Sequence, residues 1–346
     1  MGEGNKKIRN MEEFASVSGL SRPTVSKYFF DPNSVRKSTR ARIEQALEQY
    51  DYRPNVYAVN QNRRLTKSIG VLVPYLADPF FAEMARQIER LCIDAGYRPI
   101  VFSSHGAPSV EAENLESLLA LKPAGALLAP LGRTSDHGAL ARFCDAVPSV
   151  LFDSNIEGIG EGFVGLNNSQ SIGEIVRYLC ETGEPPCLFE GRMAPNPNVR
   201  SKLEAYVQTM EQLGHEPQIV YADGEGWDFE QIGYNGAKKA FADRALSTNT
   251  ILCGNDRLAV GVLAAAYESG LRVGRGSGCA LRVAGHDDHP FSRFTCPTLT
   301  TVSQSFDTIA RRSVELLRAH VEEDGADAGE RSTTLFNGRL VVRESA

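Results

Sequence analysis

The chain has 346 residues, 42% of them hydrophobic and 23% charged, with a formal net charge of −6. That is the composition of a globular protein with room for two or three domains, and it excludes a disordered or fibrous chain. No apolar run approaches the ~20 residues of a membrane span, and no apolar stretch follows the charges of MGEGNKKIRN, so neither a span nor a secretory signal is expected.

The net charge hides a split. Residues 1–67 carry 13 Lys/Arg against 7 Asp/Glu, near +6, whereas the remainder carries 24 against 36, near −12. A polyanion would be drawn to one end and repelled by the other. Seven cysteines are scattered without a C-x-x-C pair. Reduced thiols in a cytoplasmic protein are the expected reading.

The first element expected is a helix opened by Asn10 as N-cap, with Glu13 three positions on as in a capping box. It runs to about Ser18, where Gly19 can take the positive φ of a turn. Leu20 plugs the space between two helices, Ser21 caps the second, and Pro23 sits in its first turn, where a missing N–H costs nothing. Val25 and Phe29 face the first helix, which leaves Arg22, Pro23, Ser26 and Lys27 on the outer face. Those are the positions at which a helix-turn-helix meets base edges in the major groove. Arg22 and Lys27 can reach guanine or phosphate, Ser26 can donate to phosphate, and Pro23 can touch a thymine methyl. In a third helix Ile43, Ala46, Leu47 and Tyr50 share one face. Arg40 and Arg42 lie off it, as phosphate contacts or solvated charges.

From Ser68 apolar runs alternate with helical stretches. Strands are expected at Ile69–Val73, Ile100–Ser103, Gly125–Leu128 and Val147–Phe152, with helices at Phe80–Ala95, Val110–Leu121 and Asp136–Cys144. The scheme repeats with strands at Cys187–Glu190, Ile219–Ala222, Ile251–Cys253 and Val283–Gly285, and helices near Ser169–Cys180, Val199–Leu213, Glu230–Ala242 and Arg257–Ser269. After Thr298 come another strand, a helix at Phe306–His320 and a last strand at Leu335–Val342. This pattern predicts two doubly wound parallel sheets, with a ligand cleft at the carboxyl ends of their strands. Asp78, Phe80 and Phe81 follow the first strand; Asn255 and Asp287 follow later ones; Trp227, the lone tryptophan, is a candidate stacking platform with Phe229 as its rival. Asn255 as a helix cap and Asp287 as a structural carboxylate are the plainer alternatives.

The run Gly19-Leu20-Ser21-Arg22-Pro23-Thr24-Val25-Ser26-Lys27, then Thr39-Arg40, then Tyr52-Arg53-Pro54-Asn55, resembles the lactose-repressor/galactose-repressor (LacI-type) family of bacterial transcription regulators. The likeness continues in order through Asp78-Pro79-Phe80-Phe81, Cys253-Gly254-Asn255-Asp256, Gly285-His286-Asp287-Asp288 and Pro297-Thr298-Leu299-Thr300-Thr301-Val302 to Leu340–Ser345. It implies a helix-turn-helix head over 1–53 and a hinge helix and linker over 54–67. A periplasmic-binding-protein-like effector and dimerisation domain over 68–346 follows. Its first lobe is expected at about 68–165 plus 303–325, and its second at 166–302 plus 326–346.

The resemblance adds Ser21, Thr24 and Arg40 to the DNA contacts, and places Asn55, Tyr57, Ala58 and Gln61 in the minor groove. Gln61 stands where the family usually has a wedging Leu, and Lys27 where it commonly has Arg. It implies Arg200, Asn255 and Asp287 as effector contacts, the effector being a sugar or sugar derivative. It further implies a homodimeric repressor on operator DNA with no cofactor. The family's leucine tail is absent after Arg343, which favours a dimer.

His286-Asp287-Asp288-His289 has the look of metal-ligand spacing, but neighbours on an extended strand point to opposite sides, so no metal is expected. Gly274-Arg275-Gly276-Ser277-Gly278 follows a helix and precedes a strand, the reverse of a dinucleotide loop. No catalytic motif is present, so an enzyme is not expected. A solute-binding module is the rival reading, since the body alone resembles periplasmic sugar receptors.

Overall fold

The structure, a computed structural model, describes residues 8, 10–30, 32–50, 52, 66–192, 198–322 and 331–346. It divides into two compact units between Thr66 and Lys67.

In the first unit α1 spans Met11–Ser18, α2 Arg22–Phe30 and α3 Lys37–Tyr50. Asn10 caps α1 by accepting the Glu13 N–H at 2.8 Å, satisfying a donor the helix cannot. Gly19 closes it at φ 63°, in the left-handed region. Phe14, Val25 and Ile43, one from each helix, are fully buried and form the centre of a small core with Tyr28 and Tyr52. The ring of Tyr52 stacks on Phe14 at 4.7 Å, so the residue that opens the Tyr52-Arg53-Pro54 stretch serves the core.

The second unit holds two parallel sheets. In the first, β1 (Ser68–Val73) lies between β2 (Arg98–Ser103) and β3 (Gly125–Leu128), followed outward by β4 (Ser149–Phe152) and β5 (Gly162–Leu166). Its helices are α4 (Pro79–Asp94), α5 (Pro108–Ala120) and α6 (His137–Ala146). Ile69, Val71 and Val73 pack into one core with Phe81, Met84 and Ile88 of α4, while Leu72 joins Leu115, Leu118 and Phe143 on the opposite face. A parallel strand covered on both sides needs this unbroken apolar run.

After α7 (Asn168–Thr182) the second sheet takes the order β7 (Ile219–Ala222), β6 (Cys187–Gly191), β8 (Thr250–Cys253), β9 (Arg282–Ala284). It is wrapped by α8 (Asn198–Gln212), α9 (Phe229–Ala242) and α10 (Asp256–Glu268). Strand order reverses direction between β1 and β3 in one sheet and between β6 and β8 in the other. Those are the points at which open α/β sheets leave a crevice.

Two expectations are corrected. The strand β5 went unrecognised because Gly-Phe-Val-Gly-Leu reads as a weak strand former. Gly162 is required there: a Cβ would meet the Ser332 carbonyl and Leu316. The single terminal strand expected at Leu335–Val342 is two. β11 (Ser332–Phe336) extends the first sheet beside β5, so it does not belong to the second lobe. β12 (Arg339–Val341) instead pairs antiparallel with β10 (Thr301–Ser303), and α11 (Phe306–Glu322) lies between β10 and β11. The switch occurs at Gly338, where Val302 and Ser171 leave no room for a side chain.

Candidate functional site

On the head, α2 presents Arg22, Pro23 and Lys27 to solvent, with Thr24 and Ser26 half-buried. The Ser21 and Thr24 hydroxyls hydrogen-bond each other at 2.8 Å, and the Thr24 N–H donates to Ser21 Oγ at 3.4 Å. Their polar atoms thus sit at the start of the helix, where N–H groups and dipole favour an anion. Arg40 is engaged at home: Nε donates to Glu44 at 2.8 Å and Nη1 to Asn33 at 3.0 Å. Arg42 is not a plain solvated charge. Its Nη2 donates to the Ser18 and Gly19 carbonyls, both at 3.2 Å, closing the C-terminus of α1. Asn55, Tyr57, Ala58 and Gln61 lie outside the described residues.

In the body a cavity opens where β1, β6, β8 and β9 end. Of the residues read from the sequence, Asp78, Phe80, Phe81, Trp227, Asn255 and Asp287 line it. Asp78 caps α4, accepting the Phe80 N–H at 2.9 Å, and its other oxygen accepts from Arg257 Nη1 at 2.9 Å across the cleft. Trp227 stacks on Tyr75 from the opposite lobe, centroids 5.7 Å apart, and sets its edge against Phe81 and Phe229. Asn255 does cap α10, through the Leu258 N–H at 2.8 Å, while its remaining surface faces the cavity. With the lobes clasped in this way the free space is about 30 Å³, against roughly 300 Å³ or more for a ligand-holding pocket.

Arg200 is misplaced by the sequence reading. It is exposed, pairs with Glu204 at 2.7 Å on the surface of α8, and does not reach the cavity. At about 100° per residue, a position two residues further on falls on the opposite face. Lys202 occupies it, buried with Ala205, Tyr206, Thr209 and Met210. Its Nζ donates to the Gly254 carbonyl at 3.0 Å and lies 3.6 Å from Asp287.

Asp287 is the hub of the polar wall, at φ 121°, a strained conformation for a non-glycine residue. It accepts from Gln304 Nε2 at 2.7 Å and lies 2.9 Å from His286 Nδ1. Burial would raise its pKa, but Lys202 and the His286 hydrogen bond outweigh burial and hold it well below the usual range. Burial, reinforced by Lys202, pushes His286 down to about 4. The neutral ring therefore donates from Nδ1 to Asp287 and accepts at Nε2 from Ser171 Oγ, 3.1 Å away. The Ser–His–Asp order imitates a nucleophilic relay, yet Ser171 is fully buried and does not line this cavity. Among the described residues no cluster of His, Cys, Asp or Glu could hold a metal ion.

Residues 10–55 match the lacI family of bacterial regulatory proteins, and residues 183–346 match a periplasmic binding protein-like domain. The chain joins a lacI-type head to a periplasmic binding protein-like body. Among its relatives, the ribose operon repressor of Escherichia coli (strain K12) is 28% identical over 314 residues, covering 90% of this chain and 92% of that one. The HTH-type transcriptional repressor PurR of Pasteurella multocida (strain Pm70) is 26% identical over 340 residues, 98% of each. The fold is shared with a Lac repressor dimer bound to operator and the anti-inducer ONPF, at TM-score 0.83 and 22% identity over 98% of this chain and 99% of that one.

Sequence reasoning overlooked two cavity carboxylates, Asp153 and Glu190, together with Lys202 and Arg257. Burial pushes Asp153 and Glu190 each up to about 7, with Lys202 offsetting only part. Glu190 had a legible signal: a lone acid after the apolar Cys187-Leu188-Phe189, at the carboxyl end of a sheet strand.

Proposed function

We propose that this protein is a sequence-specific DNA-binding transcriptional repressor. A small molecule, a sugar or sugar derivative, bound between its two lobes changes its affinity for operator DNA. One observation carries the reading. A basic helix-turn-helix head with Arg22, Pro23 and Lys27 exposed shares its chain with a two-lobed α/β body. That body's polar and aromatic cavity lies at the strand ends. The relatives named repressors, PurR and the ribose operon repressor, support the direction of control. A structural neighbour from Enterococcus faecium holds ribose, which supports the ligand class.

The working unit is a homodimer, as the Lac repressor neighbour on its operator is a dimer. Two heads then read successive major grooves of a pseudo-palindrome, with Ser21, Arg22, Pro23, Thr24, Ser26 and Lys27 as the reading surface. Arg40 touches DNA only if it trades its Glu44 partner for phosphate. The effector acts through its different affinities for the two lobe arrangements. Asp78, Phe80, Phe81, Trp227, Asn255 and Asp287 contact it, with Lys202 in the place first given to Arg200. A cytoplasmic, non-enzymatic role follows from that reading, as for the relatives named repressors; among the described residues no helix is long and apolar enough to cross a membrane.

Gel shift of the full chain on upstream fragments of its neighbouring genes tests this. Binding should weaken steeply with salt and respond to one sugar of a panel. Retention of no fragment at any salt concentration would sink it.

A further inference from the structure

The cavity contains more negative charge than its cations neutralise. Four carboxylates line it: Asp78, Asp153, Glu190 and Asp287. Two cations line it, and both are committed. Arg257 holds Asp78 at 2.9 Å and Glu230 at 2.5 Å. Lys202 donates to the Gly254 carbonyl and lies 3.6 Å from Asp287. Asp153 accepts the Asn198 amide at 2.9 Å and forms no ion pair within 4 Å among the described residues. Glu190 is the more exacting case. It is only 3% exposed; Oε1 accepts the N–H of Gly191 at 2.9 Å, and Oε2 makes no hydrogen bond or ion pair among the described residues. Space for that carboxylate exists because residue 254 is glycine: a Cβ there would overlap Oε2. Residues 193–197, which follow on the chain, contain no charged side chain.

We propose, resting on the effector reading above, that the effector carries a protonated amine seated against Glu190 and Asp153: an amino sugar or an amino polyol of similar size.

The alternative is a neutral sugar, whose hydroxyls can donate to both carboxylates. It would leave the half-buried Asp153 and the buried Glu190 only partly compensated by Lys202, or would force them to bind protons. An ammonium group supplies both the donors and the charge, and charge-assisted bonds are about twice as strong as neutral ones. Burial raises both carboxyls to about 7, the direction expected of acids that await a cation.

The test is calorimetric titration of the full chain with matched pairs: glucosamine and glucose, galactosamine and galactose, an amino cyclitol and inositol. Operator gel shifts are run on the same compounds. At least one amine should bind about tenfold or more tightly than its hydroxyl counterpart, the worth of one charge-assisted bond. Glu190→Gln should erase most of that preference, and Asp153→Asn provides the same reading should the first variant fold poorly. Equal or tighter binding of the hydroxyl members overturns the amine while leaving the effector reading intact, as does an undiminished amine preference in both variants. Failure of every amine to bind at millimolar concentration overturns it too. A compound that binds yet leaves operator affinity unchanged counts instead against the effector reading.

Discussion

Replacing Glu190 with Gln should reverse a pH-dependent penalty on folding. The carboxyl is 3% exposed, and burial, offset in part by the Gly191 N–H and Lys202, carries its pKa from 4.5 to about 7. Between those values the unfolded chain has released the proton and the folded one still holds it, so stability falls as pH rises. The penalty is absent well below pH 4.5, accumulates up to about 7 and is constant above. At about 1.4 kcal/mol per pH unit the full amount is about 3 kcal/mol. Part of it is already present at pH 5, which leaves about 2 kcal/mol to appear between pH 5 and pH 8. Gln keeps the shape and cannot ionise. Urea unfolding of the two proteins at equal concentration, followed by circular dichroism and by Trp227 fluorescence, measures the difference directly. Asp153 and His286 titrate in both proteins and cancel. The variant should gain about 2 kcal/mol on the wild type from pH 5 to pH 8. A difference that does not change with pH, or one that turns against the variant at pH 8, would show that Glu190 is ionised and compensated in the folded protein, and would refute the reasoning.

Lys202→Met should abolish the effector's influence on operator binding in a gel shift, whereas Arg200→Ala should leave it intact; the opposite pattern would put the wrong residue in the cavity. Arg257→Leu strands Asp78, of which only 5% is exposed, and should cost about 3–5 kcal/mol in urea unfolding, as removal of one partner from a buried pair does. A loss below about 1 kcal/mol, the range of exposed pairs, would mean the pair is solvated. Arg22→Ala and Lys27→Ala should each weaken operator binding by roughly 1–3 kcal/mol, measured at fixed salt. Unchanged affinity in both would move the reading face elsewhere.

What could be read in the sequence was whatever local chemistry decides. Asn10 with Glu13 and then Gly19 fixed the ends of α1, because a cap is a contact between residues three or four apart. Ile69–Val73 declared a buried strand by its unbroken apolar run. The failures required knowledge of a partner distant in sequence. The glycines of Gly162–Leu166 look like weakness until Ser332, 170 positions on, is known to lie against the first of them. Arg257 reads as a solvent-facing charge on an apolar helix until Asp78 and Glu230 are brought to it. The error at Arg200 was of another kind, because the phase of α8 was available. Ala205, Tyr206, Thr209 and Met210 define its buried face, and Lys202 falls on that face while Arg200 does not.

The same long-range contacts bear on how a ligand could act. Among the contacts that cross the cleft between the lobes are two with distinct chemistry, the Asp78–Arg257 pair and the Tyr75–Trp227 stack. Both use residues that line or border the cavity, so a molecule entering it competes with the contacts that hold the lobes together. A ligand that merely filled space would lose their free energy and gain little. One that replaces them, offering the C–H face of a sugar to Trp227 and an ammonium charge to the carboxylates, changes the relative stability of the open and clasped arrangements by the difference between its contacts in each. Asp287 is placed to register that difference. It touches Lys202 at the cavity and, through His286, reaches Ser171 of α7 behind it. Loss of the Lys202 contact therefore alters a hydrogen-bonded chain that ends on the helix following the first sheet, not only the cavity wall.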